Sequence, residues 1–225
     1  HRASLVRMSV DVKNRVQSLL DKYGLKPEYS DLFGKKGMAW LQSLKLEPVD
    51  QTILESDLRL PKSLVEQIEL ITSKVASIAA ESEEVKLLMT MPGIDFYSAL
   101  LIVSEIGDVK RFPDAKKLCS WAGMVPSIHQ SGSMLHMGRI TKKGSKWLRW
   151  ILVQAAQKAS LSDERLGNYY ERVARRRGHH KAIIAVAREM LTIIYHMLSK
   201  REEYRGKNEK LAQRKYKRME RIASK

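Results

Sequence analysis

From Leu5 to Ile194 the apolar residues return every three or four positions, and two-residue alternation is nearly absent. Side chains three and four apart share a helix face, whereas a strand repeats every two residues. The pattern predicts an all-α chain. Leu5, Met8, Val12, Val16 and Leu19 mark a first helix over 5–21, which Gly24, Pro27 and the polar run to Gly37 end. A short helix over 37–46 follows. Another starts near Asp50, and Pro61 is expected to kink or restart it, because proline lacks the N–H that a helix interior uses.

Leu64, Ile68, Ile71, Val75 and Ile78 then step by alternating four and three, the seam of two packed helices. Fewer than three heptads are present, so a coiled coil and an amphipathic helix on its own core both fit. Residues 83–200 read as a series of helices over 83–90, 95–106, 114–122, 143–159, 163–177 and 179–200. A short irregular ribbon can be accommodated within 124–137. Beyond Lys200 the charged run to Lys225 holds few apolar residues. It is expected to be a solvated helix or a segment that orders only on a partner. The expected organisation is a helical arm or coiled coil over 1–82, a compact multi-helix domain with a helix-hairpin-helix-like element over 83–200, and a basic tail over 201–225.

Charge narrows the function. The formal net charge is +16, so the folded chain repels itself unless a polyanion is near. A membrane binder would place its cations on one amphipathic helix opposite bulky apolar residues. Here they spread over segments that also carry core faces, which favours nucleic acid over a membrane. Polar residues interrupt each apolar run before the roughly 20 residues that a membrane span needs. The single cysteine, Cys119, cannot form an internal disulfide, which fits a reducing cytoplasm, and it reads as a small buried apolar residue. The chain starts His1-Arg2-Ala3 without an apolar signal core, so secretion is not expected and a segment upstream of His1 is.

Four constellations carry candidate chemistry. In Thr90-Met91-Pro92-Gly93-Ile94-Asp95, a Pro-Gly hairpin joins two apolar helical patterns. Gly93 permits a tight turn, and the N–H groups opening the next helix suit a backbone phosphate. A plain helical corner would look the same. The run Gly138–Arg149 carries Arg139, Lys142, Lys143, Lys146 and Arg149 with no acid among them. Lys142, Lys146 and Arg149 share one flank of the helix that follows. A solubilising face usually mixes signs, so this cluster is expected to hold phosphate. A third cluster, Arg172 and Arg175–Arg177 with Lys181 beyond Gly178, offers Arg176 and Lys181 as further contacts, although the arginines also suit the C-terminal dipole of their own helix. The fourth is the loop Ser127–Ser133, whose Ser-Gly-Ser lies between the hairpin and the basic run. No His or Cys spacing matches a zinc site, and no set of acids suits a two-metal nuclease. Tyr169 and Tyr170 read as packing residues.

Leu88–Ile94, Phe112-Pro113-Asp114-Ala115, Leu118–Pro126, Ser131-Gly132-Ser133 and Gly138–Gly144 occur in that order. Together they resemble the C-terminal domain of the insertion-sequence "one-ten" transposases, the group associated with a bridge RNA. The match covers about 83–200, and 5–20 is similar to the helical stretch that follows that family's catalytic domain. The resemblance implies an N-terminal RNase H-like domain with four acidic residues and Mg²⁺, a helical arm, and a C-terminal domain whose serine attacks the DNA backbone to form a phosphoserine link. Ser131 is the matching position, and Ser133 lies two residues beyond it. The acidic domain has no counterpart in these residues, so this chain alone is expected to bind no cofactor. The expected partners are DNA, a guide (bridge) RNA and a second copy through the arm, in the cytoplasm. The competing reading is a non-catalytic nucleic-acid-binding and dimerisation module, in which Ser131 is only a loop residue.

Overall fold

The structure is a computed structural model that describes residues 1–131 and 134–224; the side chains of 128–137 are outside the description. Its elements, in chain order, are α1 (Arg2–Lys22), α2 (Lys35–Ser43), α3 (Pro48–Glu81), α4 (Glu83–Met89), α5 (Phe96–Ile106), a single 3-10 turn (Val109–Arg111), α6 (Ala115–Trp121), β1 (Pro126–Ser131), β2 (Met134–Ile140), α7 (Lys146–Ser162), α8 (Glu164–Arg177), α9 (His179–Lys200) and α10 (Glu209–Ala223). The all-α expectation holds, with one antiparallel ribbon of β1 and β2 in the stretch that can accommodate a short irregular one. The chain divides into two compact units, His1–Ser73 and Lys74–Lys225.

In the first unit, Val16 and Leu20 of α1 pack with Leu32, Leu41 of α2, and Leu54 and Leu58 of α3. Ion pairs sit at the edge of this small core. Arg15 donates to Asp57 at 2.6 Å, and Lys22 and Tyr23 both donate to Asp50. These bonds, that of Lys22 first, hold the Asp50 carboxyl below its usual range. Pro61 does not restart the helix: α3 runs unbroken through it. The heptad positions Leu64, Ile68, Ile71 and Val75 are half-buried and Ile78 is exposed, while Ala76 and Ala79 are fully buried.

The second unit is built around α9. Its 22 residues are apolar enough to cross a membrane by length and composition, but half of the most apolar window is buried within the fold. Ala182, Ile183, Val186, Ala187, Met190, Leu191 and Ile194 supply that buried stripe, and α6, α7 and α8 pack against the helix. Cys119 of α6 lies in this core with its thiol near Thr192, and burial raises its pKa. Tyr169 and Tyr170 pack on the core from α8, and the Tyr170 hydroxyl is 2.7 Å from His179 Nδ1.

The tail departs from expectation. Within 201–224 a helix forms, as one expectation had it, but it is not wholly solvated: Tyr204, Ala212 and Met219 are buried, and α10 packs on α4. Polar groups do what apolar area alone would not. The Tyr204 hydroxyl donates to Asp163 at 2.8 Å, and its backbone N–H donates to Thr90 at 3.0 Å. Lys215 Nζ donates to the carbonyls of Met89 and Met91, both at 2.7 Å, and so satisfies acceptors left at the end of α4.

Candidate nucleic-acid interface

The Pro-Gly corner between α4 and α5 folds as a helical turn, but its geometry gives it to the core. Gly93 has φ +78, and a Cβ there would lie 2.3 Å from the carbonyl oxygen of Ala155. Only glycine lets this turn press on the backbone of α7. The N-terminus of α5 is already occupied. Asp95 caps it, Ser98 completes a capping box, and Arg218 pairs with Asp95 at 3.0 Å. A capping carboxylate fills the anion position that a phosphate would take. Gly93 is therefore required for packing, and the Asp95 carboxylate stands where a phosphate on the α5 N-terminus is expected.

The basic run after β2 is different. Its backbone is pinned against the chain that precedes the ribbon. Thr141 N–H donates to Val125 O at 2.9 Å and Lys142 N–H to Gly123 O at 3.1 Å. Gly144, at φ +70, comes so near α6 that a Cβ would lie 2.2 Å from Trp121 O. Arg149 completes the clamp. One nitrogen of its guanidinium donates to Ala122 O at 3.0 Å, Lys143 O at 2.6 Å and Gly144 O at 3.1 Å. Spacing puts Arg149 among the phosphate-holding cations; the structure commits one terminal nitrogen of its guanidinium, two of five N–H donors, to holding the loop.

What the clamp holds is an array of exposed cations. Arg139, Lys142, Lys143 and Lys146 all face solvent, and none has a carboxylate partner among the described residues. Lys142 is held at φ 56, a conformation rare outside glycine. Such a position persists only when its surroundings enforce it, and it often marks a functional loop. The predicted helix over 143–159 begins later, at Lys146, because Ser145 caps it by accepting from Trp147 and Leu148 N–H groups. The first turn of α7 holds no acid, so its lysine adds to the positive end of the helix dipole. No Asp or Glu occurs between Asp114 and Asp163. A nearby anion would relieve both repulsions.

Two residues here are not singled out by sequence reasoning. Trp147 and Trp150 are 40% and 41% exposed and stand edge to face, ring centroids 5.9 Å apart. Bulky aromatics beside a basic cluster are the available signal, but spacing alone does not say which flank of α7 the core covers.

The remaining candidates lie elsewhere. Arg176 and Lys181 are exposed on either side of Gly178, at the α8–α9 corner. Ser131 closes β1 and pairs with Met134; its side chain is outside the described set, as are Gly132 and Ser133 altogether. The base of the ribbon, where Pro126 pairs with Ile140, adjoins the basic loop. At about 3.3 Å per residue, Ser131 stands about 17 Å along the strand from that base. Among the described residues no three His, Cys, Asp or Glu side chains are grouped to hold a metal.

Fold and surface define a class: a compact helical domain with a rigid, acid-free cationic loop. Residues 85–171 match the family model described as Transposase IS116/IS110/IS902 family. Over 217 residues it is 25% identical to the transposase for insertion sequence element IS1111A of Coxiella burnetii, covering 91% of this chain and 58% of that protein. A probable family 20 transposase of Pseudomonas aeruginosa is 25% identical over 220 residues, 91% of this chain and 63% of that one. A pilin gene-inverting protein of Moraxella bovis is 36% identical over 112 residues, 48% and 35% of the two chains. The chain thus spans about 60% of the length of the first two relatives.

Proposed function

We propose that this chain is the part of a DNA transposase that grips nucleic acid and supplies Ser131 as the nucleophile of strand cleavage and exchange. The observation that carries the reading is the loop Arg139–Lys146, whose lysines and arginine are held outward without acid partners by a backbone clamp. Preformed cationic loops lose little entropy on meeting a phosphate chain. The transposase match over 85–171 includes this loop and the ribbon.

Chemically, the Ser131 hydroxyl would attack a backbone phosphorus, displacing the sugar oxygen, and the new phosphoserine ester would keep the phosphodiester energy for rejoining. The leaving oxygen takes up a proton as the serine loses one. The length of the ribbon bears on the division of labour. A separation of about 17 Å corresponds to about five nucleotides of duplex at 3.4 Å per strand residue. Arg139, Lys142 and Lys143 would hold phosphates several nucleotides from the one attacked. They position the strand rather than stabilise the transition state.

In this reading a guide RNA shares the cationic surface, a second copy joins through the helical arm, and the protein works in the cytoplasm. Exposed Val65 and Leu70 on α3 support the arm as an assembly surface. Covalent trapping with the full-length protein and its DNA tests the nucleophile. The adduct is expected with Ser131 present and absent from Ser131→Ala; an adduct that persists in the variant removes the assignment.

A further inference from the structure

Resting on the nucleic-acid reading above, we propose that Trp147 and Trp150 form a stacking platform for one unpaired nucleobase, with its flanking phosphates on the basic loop. The two indoles lie three residues apart on the outward flank of α7, while Leu148, Ile151, Leu152, Ala155, Ala156 and Ala159 face the core. Neither ring is needed to fill that core, since each keeps two-fifths of its surface in solvent. Their planes meet at 86°, so the rings form two walls of a corner rather than a flat patch. A planar base can stack on one wall while the other meets its edge. Lys146 stands 5.7 Å from the centroid of Trp147, and Lys142 and Lys143 lie a few residues before it in the clamped loop.

The geometry selects among ligands. A base within a duplex has both faces covered by its neighbours, so the platform serves a single strand, a loop or a flipped nucleotide. Aromatic faces take any base, and such stacking adds affinity without reading sequence. A docked protein helix is the competing occupant, and it needs apolar anchors over at least two turns. The flank of α7 continues instead through exposed Gln154, Gln157 and Lys158. These polar residues separate the two indoles from exposed Leu161 by more than two turns, and the chain around the indoles carries no acid between Asp114 and Asp163. Nucleic acid matches both features.

The test uses the full 225-residue chain with a single-stranded oligothymidylate and a blunt duplex of equal length. Binding is followed by indole fluorescence and by anisotropy of labelled DNA. Because stacking of one base is worth about 1–3 kcal/mol, Trp147→Ala with Trp150→Ala should weaken single-strand binding about 5- to 150-fold. Duplex affinity and the salt dependence should stay unchanged, and the wild-type indole emission should be quenched by the single strand alone. Phe at both positions should restore part of the loss, and circular dichroism should show the helix content kept. If the alanine variant binds the single strand as the wild type does, the platform is overturned while the cationic-loop reading stands. If the wild type binds neither DNA, both fall together. If the variant loses only self-association, the surface belongs to a protein partner and the platform is overturned.

Discussion

The Arg218 guanidinium lies 3.0 Å from the Asp95 carboxylate, joining the last helix to the cap of α5 across 123 residues. Asp95 accepts from the backbone of α5 and from Arg218 at once. Asp95→Ala should therefore cost about 1 kcal/mol or more through removal of the cap. Arg218→Ala should cost less than about 1 kcal/mol, because this is an exposed pair. Urea denaturation of both variants gives the ranking, and equal losses would contradict it.

Lys215 carries a pH dependence. Burial pulls its pKa down to about 8, against an ordinary lysine value of 10.5, while Asp95 opposes the shift weakly. Below about pH 8 both folded and unfolded amines are protonated, and the fold bears the full cost of a buried cation. Between about 8 and 10.5 only the unfolded chain holds the proton, so this contribution to stability rises with pH. An NMR titration of the Lys215 side chain should inflect near pH 8, and the alkaline gain should shrink in Lys215→Met.

Asp50 acts in the opposite direction in the first unit. Its carboxyl is held low by Lys22 and then Tyr23, so its stabilisation is present above the ordinary carboxylate range and is lost as pH falls through the depressed value. Asp50→Asn should flatten the acid limb of unfolding for residues 1–73, read by hydrogen exchange of α1 and α2 amides.

The loop clamp can be broken without removing a charge. Gly144→Ala meets both an unfavourable φ and the Trp121 carbonyl, and should destabilise by about 1–3 kcal/mol. DNA affinity should fall while the salt slope is retained, since the cations remain. An unchanged DNA affinity in this variant would mean that the clamp does not serve to hold the cations.

Removing charge without breaking the clamp should do the converse. Lys142→Ala and Lys143→Ala should each lower the slope of log affinity against log salt by about 0.9 for every duplex phosphate left without its cation. Stability should change little, because both side chains are exposed. Arg149→Ala should instead cost stability, since three carbonyls are deprived of their donor.

Helix positions are legible in the sequence because the signal is local. The range 179–200 is predicted to the residue, and Asp95 and Asp163 are recognisable as helix starts. The tail is not legible because its apolar residues are few. Its packing rests on Lys215, Tyr216 and Arg218 meeting groups on α4, α5 and the turn between them, more than 120 residues away. Gly93 escapes sequence reasoning for a related reason: a Pro-Gly turn looks the same whether phosphate or the Ala155 carbonyl lies opposite.

The sequence by itself determined that the chain is helical and that the stretch around 139–149 is cationic without acids, because periodicity and composition belong to neighbouring residues. Only the tertiary structure decided which cations face solvent and which serve the fold. That choice depends on backbone acceptors left unpaired elsewhere: Ala122 and the Lys143–Gly144 turn took Arg149, Met89 and Met91 took Lys215, and Lys142, Lys143 and Lys146 were left outward.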